Sequence, residues 1–257
     1  AVYTGNFSAP EHNLEWTTNT KLLCCRSATD ITASGPSRTV TAVKSNLFDN
    51  NINVVMGERS RYAILSTLNP GSYGSIKQGG LQYDGGWSGG SNTTRMSDLG
   101  APPYSGKWYC EYWNERGTSP EPGVARLPFA AAAWDTFLGG SVGTWMYYSP
   151  GTNTGYRYSG GTGLPYGDSY DVGDVIGMCL DTDKGELRFT KNGIDQGVAY
   201  SDLNDNEDIY SKTFHFGAGA FSQQAQLNFG QKPFVFPPPE GYKTLCTANL
   251  PVNIVNP

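Results

Sequence analysis

A chain of 257 residues with 38% hydrophobic and 16% charged residues can bury one large core and carries too little charge for a disordered polymer. Its net charge of -5, without a Lys/Arg cluster to follow a phosphate backbone, argues against nucleic acid as a partner. No apolar run approaches the ~18 residues of a membrane span. No signal-peptide pattern opens the chain, and the initial Ala fits either processing or a piece cut from a longer polypeptide.

The 33 glycines and 16 tyrosines suit a many-stranded β-protein, since Tyr packs well on strands and Gly supplies turns. Residues 1–45 read as a terminal strand and a connector: Leu22, Leu23, Cys24 and Cys25 make a short apolar run. Ser27–Val43 is rich in Ser, Thr and Ala around a Gly35-Pro36 turn signal. From Asn46 the texture changes to short β-patterns. Tyr62–Leu68 ends at Asn69-Pro70-Gly71, and Ser75–Tyr83 holds a Gly79-Gly80 turn.

Lys107–Trp113 alternates with period two, placing Trp108, Cys110 and Tyr112 on one face and Lys107, Tyr109, Glu111 and Trp113 on the other. The one helix candidate, Phe129–Trp134, is kept short by Pro128 and Gly139-Gly140. Thr144–Tyr148 and Gly155–Tyr158 follow as strands around the turn-forming Ser149–Thr154. Val175–Leu180 is apolar except at Gly177, so both of its faces must be covered. Asn192-Gly193 then predicts a two-residue hairpin turn, because both positions accept positive φ, and Ile194–Tyr200 pairs back. Phe214–Phe221 and Ala225–Phe229 complete the strands. The expected fold class is all-β, an antiparallel β-sandwich of jelly-roll type. The five cysteines read as reduced thiols, with Cys110 and Cys179 acting as small hydrophobes inside strands.

The ordered pieces Gly106–Trp113, Pro122–Ala125, Tyr166–Gly193 and Leu227–Leu245 resemble a SPRY domain. The pattern Asp-x-Asp-x-Gly-x-Leu-x-Phe-x-x-Asn-Gly falls on Asp181, Asp183, Gly185, Leu187, Phe189, Asn192 and Gly193. The resemblance implies a concanavalin-like β-sandwich over 46–245 with recognition loops along one edge, no cofactor and no catalytic set. A C-terminal linker would occupy 246–257.

Leu65–Pro70, Lys77–Tyr83 and Leu245–Pro251 are similar to the SPRY modules of bacteriophage virion proteins, and Ala1–Cys25 to the last strand of a laminin-G-like domain. That likeness implies a phage structural or adhesion module: a tail fibre, appendage or capsid fibre located in the virion. Its partners would be other virion proteins and a host-surface glycan or protein, and it would be a homotrimer. An intracellular SPRY adaptor that captures a peptide is the alternative, followed by a carbohydrate-active sandwich enzyme. Arg126–Gly143 departs from the family pattern as an insertion rich in Ala and Gly.

Glu111 and Glu115 are spaced i and i+4, which on a strand separates them by about 13 Å, against about 5–5.5 Å for a retaining glycosidase pair. They read as surface acids. Asp171, Asp174, Asp181 and Asp183 read as turn-formers rather than Ca²⁺ ligands. His12 and His215 are isolated, and His215 is expected on the outer face of its strand. Binding residues are expected among the aromatics of Gly-rich segments, namely Trp134, Tyr156, Tyr158 and Tyr166, because rings supply contact area at low entropy cost.

Overall fold

In the computed structural model the described residues are Leu23–Cys24, Ala33–Ser34 and 61–251, apart from 69–71, 86–91, 118, 128–133, 152–153, 202, 205–212 and 221–222. Among them the strands run β1 (Leu23–Cys24), β2 (Ala33–Ser34), β3 (Ser75–Lys77), β4 (Gln82–Asp84), β5 (Thr93–Met96), β6 (Lys107–Arg116), β7 (Glu121–Leu127) and β8 (Thr144–Tyr148). They continue through β9 (Thr154–Ser159), β10 (Thr162–Asp168), β11 (Val175–Asp181), β12 (Glu186–Lys191), β13 (Ile194–Tyr200), β14 (Thr213–Ala220), β15 (Gln224–Asn228) and β16 (Tyr242–Thr244).

Two sheets form a sandwich. A six-stranded sheet has the order β10-β9-β8-β7-β14-β5, and an eight-stranded sheet has the order β13-β12-β11-β6-β15-β4-β3, with β16 pairing β6 in parallel. Among the described residues β1 and β2 pair with each other. The all-β class and the antiparallel sandwich are therefore as expected.

The alternation in β6 places its side chains as read. Trp108, Cys110 and Tyr112 join Ile176, Met178, Leu180, Leu187 and Phe189 on the inner face of the larger sheet. Val124, Trp145, Tyr147, Phe214 and Phe216 meet them from the smaller sheet. Each such side chain, fully buried, contributes roughly 1.5–3 kcal/mol of transfer free energy. Tyr147 bridges the layers, its ring centroid 5.3 Å from that of Phe189. Tyr200, on β13, lies 2.9 Å through its hydroxyl from the carbonyls of both Met146 and Tyr158, sharing one O–H between strands of the opposite sheet.

The outer face of the larger sheet is covered by the chain after β15. Glu111 points outward there, yet it is 0% exposed. Its carboxylate accepts the backbone N–H groups of Val235 at 3.0 Å and Phe236 at 2.9 Å. Phe234 meets Tyr109 edge to face at 4.8 Å. This cover explains why Val175–Leu180 is apolar on both sides: Cys179 is buried on the outer face, near Pro237, Pro239 and Tyr242.

Several expectations are corrected. Tyr62–Leu68 is not a strand; its N–H groups go to different partners in turn, Ala63 to Leu245, Leu65 to Gly80 and Ser66 to Met96, so no ladder forms. Bridges at Tyr62–Cys246 and Leu65–Ser97 remain. β5 and β10, the two edges of the smaller sheet, have no counterpart among the expected strands, because TTRM and the Gly- and Pro-containing TGLPYGD show no apolar alternation. Nearly all of the helix candidate, and the stretches 1–22 and 46–60, lie outside the described residues. Two stretches far apart in sequence meet: Arg61 N–H donates to Thr247 Oγ1 at 2.8 Å, and Thr247 N–H to Arg61 O at 2.9 Å.

Candidate functional site

The outer face of the six-stranded sheet is built from Met146 and Tyr148 of β8, Tyr156 and Tyr158 of β9, and Glu121 and Ala125 of β7, which the ladder registers bring to one side. A segment including Trp134–Gly140 lies across it. This segment is anchored by Asp135, whose carboxylate accepts the Ser72 N–H at 2.7 Å and the Ser72 hydroxyl at 2.6 Å. Those bonds hold the Asp135 carboxyl below its usual range. Thr94 Oγ1 donates to Thr136 O at 3.0 Å, and Gly161 N–H to Gly139 O at 2.9 Å. Glycine is required at the crossing: a Cβ on Gly139 would sit 2.4 Å from the Tyr158 Cβ.

Beneath the segment, Met96, Ala125, Trp134, Leu138 and Met146 form a satellite cluster, flanked by Phe137, Tyr148 and Tyr158. Beside it opens a pocket of about 280 Å³ lined by Glu121, Phe137, Met146, Tyr148 and Tyr158, together with Asn92 and Ser119. The Tyr158 ring stands edge-on to Phe137, with centroids 5.9 Å apart at 89°, and to Tyr148, 5.7 Å apart at 87°. The backbone of Met146 and Tyr158 is held from below by Tyr200, so this wall is rigidly placed.

Glu121 is the ionisable group of the pocket. It is 3% exposed and fits because β14 carries glycine opposite it: a Cβ on Gly219 would lie 1.9 Å from Glu121 Oε2. Its Oε2 accepts the Leu138 N–H at 3.0 Å. Burial pushes its carboxyl up to about 8, an effect that the Leu138 N–H offsets only in part.

The four aromatics expected to bind ligand are placed differently. Tyr158 lines the pocket. Tyr156 lies beside it on the same face, ring centroids 6.4 Å apart. Trp134 packs into the satellite cluster, 7% exposed. Tyr166 turns toward Tyr147 and Phe189, and its hydroxyl donates to Gly197 O at 2.8 Å. Phe137, Tyr148 and Glu121 are pocket residues that sequence reasoning missed. The one available signal was the shared parity of Glu121, Gly123 and Ala125, which assigns Glu121 to the outer face.

The other candidate groups have structural partners. Reading Glu111 and Glu115 as surface acids is corrected for Glu111, which lies under the C-terminal segment. Glu115 gathers the amides of Gln82, Gln224 and Gln226 at 2.5, 3.0 and 2.5 Å, strapping β4 and β15 to β6. Asp181 Oδ1 accepts the N–H groups of Asp183 and Lys184, both at 3.1 Å. Asp183 Oδ1 accepts Gly106 N–H, and Asp174 accepts Asp171 N–H and the Asn192 amide. His215 is on the outer face but buried, its ring nitrogens 2.7 Å from Ser97 O and from Thr213 Oγ1. Desolvation lowers its pKa.

Residues 107–232 match the family model of the SPRY domain. Ran-binding protein 10 of Danio rerio is 42% identical over 78 residues, 30% of this chain and 12% of that protein. Ran-binding protein 9 of Homo sapiens is 41% identical over 78 residues, 30% of this chain and 10% of that protein. The chain thus spans a small fraction of the relatives it matches. The crystal structure of the TRIM65 PSpry domain superposes with a TM-score of 0.51 at 13% identity, covering 65% of this chain and 92% of that one, a likeness of fold. These vertebrate relatives overturn the expected bacteriophage virion role and virion location. Of the stretches behind that expectation, Lys77–Tyr83 lies in the β3–β4 hairpin and 1–22 lies outside the described residues; a hairpin of this kind does not encode the particle or cell in which a sandwich works.

Proposed function

We propose that this chain, whose residues 107–232 are a SPRY domain, is a non-catalytic interaction module of an intracellular adaptor that captures a short segment of a partner protein. The observation that carries this reading is the pocket formed by Phe137, Met146, Tyr148 and Tyr158 beside the buried Glu121. Aromatic-walled pockets on a rigid frame are where peptide anchors gain most of their binding energy. The matching relatives, named as Ran-binding proteins, support an interaction role. Further support comes from the carboxylates: Glu111 and Glu115 are each taken up by hydrogen bonds that hold the sandwich together. The buried free thiols Cys110, Cys179 and Cys246 suit a reducing compartment.

A displayed library of random peptides panned against the full chain tests this. Recovered peptides should perturb the resonances of Tyr148 and Tyr158, and Tyr158→Ala should weaken their binding by at least about tenfold, the loss expected of a central anchor contact. Peptides that bind Tyr158→Ala as tightly as the parent would place capture elsewhere and end the proposal for this pocket.

A further inference from the structure

The geometry points to a cationic side chain, an ammonium or guanidinium of the captured segment, as the occupant of the pocket, with Glu121 as its counter-ion and Phe137, Tyr148 and Tyr158 as its walls. This rests on the peptide-capture reading and names the chemistry of its anchor.

Three observations converge. The Glu121 carboxyl is nearly inaccessible, yet it opens on a cavity of about 280 Å³. Among the described residues it has a single hydrogen bond, from Leu138 N–H, and no basic side chain pairs with it. Buried carboxylates without a cation are costly, so a charged donor entering from the cavity would satisfy a group that the fold itself leaves under-satisfied. The rings of Phe137 and Tyr148 stand perpendicular to Tyr158. All three rings line the cavity, and a cation seated over the face of any of them is attracted by the negative face of its quadrupole. The volume suits one side chain rather than a large ligand. An acidic anchor would bring a second buried carboxyl with no cation to balance it, and a neutral apolar one would leave the Glu121 carboxyl as poorly partnered as before.

Proton balance follows from the same geometry. Burial keeps the carboxyl largely protonated near neutral pH. Entry of the cation favours the carboxylate, so one proton leaves to solvent as the ion pair forms. The titratable groups facing Glu121 from the neighbouring strands are phenols: Tyr83, Tyr112 and Tyr170 on its inner side, Tyr148 and Tyr158 across the pocket. No charged side chain among the described residues acts on it appreciably.

The test uses the full chain and four probes: the N-acetyl methylamides of lysine, trimethyl-lysine and arginine, and of norleucine as the neutral isostere. Protein-detected NMR locates binding, and calorimetry in buffers of different ionisation enthalpy counts protons. The cationic probes are expected to bind at least about tenfold more tightly than norleucine. Affinity should rise with pH by up to about tenfold per unit below the pKa of Glu121, with up to one proton released per ligand. The order among the three cations identifies whether N–H donation or methylation is preferred. Glu121→Gln should abolish both the preference and the proton release, and Tyr148→Leu should weaken cation binding while leaving proton release intact. Norleucine binding as well as lysine, or an unchanged preference in Glu121→Gln, overturns the cation assignment. Pocket resonances that respond to norleucine or to library peptides without cationic preference would sink this inference and keep peptide capture. No response to any probe or peptide would sink both.

Discussion

The Glu111 carboxylate, on the outer face of the central strand, receives the backbone N–H of Phe236 at 2.9 Å from a segment that follows the last long strand. A charge-assisted pair of such bonds, the second from Val235 at 3.0 Å, fixes the course of a Pro-rich stretch that has no ladder of its own. Glu111→Ala removes the acceptor of both part-buried N–H groups and should cost about 1–3 kcal/mol. Urea denaturation gives the loss, and limited proteolysis should find new cleavage within residues 234–241. A loss below about 0.5 kcal/mol, as at an ordinary surface site, would show that the clamp contributes little.

Glu121 should set part of the pH dependence of stability. Burial pushes its carboxyl in the folded chain up to about 8, from an ordinary value of 4.5. Between those values the folded form retains a proton that the unfolded form has released, so stability falls as pH rises through this window and levels above it. Glu121→Gln should remove that slope, gaining as much as about 5 kcal/mol at pH 8.5 relative to pH 4.5, an upper bound set by the size of the shift. Denaturation midpoints of the two proteins that stay parallel from pH 4.5 to 8.5 would contradict the assignment.

The hairpin at Asn192-Gly193 has φ of +50° and +81°, the positive values its sequence calls for. Gly193 is doubly constrained, since a Cβ there would lie 2.8 Å from Phe236 Cδ1. Gly193→Ala therefore combines backbone strain with a clash against the C-terminal segment, and should destabilise by about 1–3 kcal/mol. Asn192→Gly, which keeps the turn, should cost less, although it loses the bond from Val175 N–H to Asn192 Oδ1. Equal melting temperatures for Gly193→Ala and the parent would refute the packing argument.

The buried thiols should be inert. Burial pushes Cys179 up to about 12 and Cys110 well above the ordinary thiol range, and the thiolate is the reactive form. Iodoacetamide at pH 8 should leave both unmodified in the native protein and label both after denaturation, as read by mass spectrometry. Native labelling of Cys179 would mean that the cover over the outer face opens readily.

Much of the sandwich was legible because alternation reports burial directly. The edges of Thr144–Tyr148 and Ile194–Tyr200 were read to the residue, and Trp108 against Tyr109 separated the two faces of β6. The apolar character of Val175–Leu180 demanded a cover, but not its identity. That cover is a run of Pro and Phe without periodicity, whose place depends on Glu111 far away in sequence. The pocket was harder. Tyr158 drew notice through its Gly-rich surroundings, whereas Glu121 stands between Pro120 and Pro122 and reads as loop. A proline is tolerated in this interior strand because pairing with β8 begins only at Gly123, so Pro122 needs no donor on that side. Phe137 belongs to a segment whose position comes from Asp135 meeting Ser72 and from Leu138 meeting Glu121, contacts that no local pattern encodes.

The reciprocal bonds between Arg61 and Thr247 bring the chain before β3 and the chain after β16 to one point. A unit closed in this way behaves as a cassette: it can be spliced into a surface loop of a host protein with little loop-closure penalty. It can also be permuted, joining its old ends by a short linker and opening the chain elsewhere.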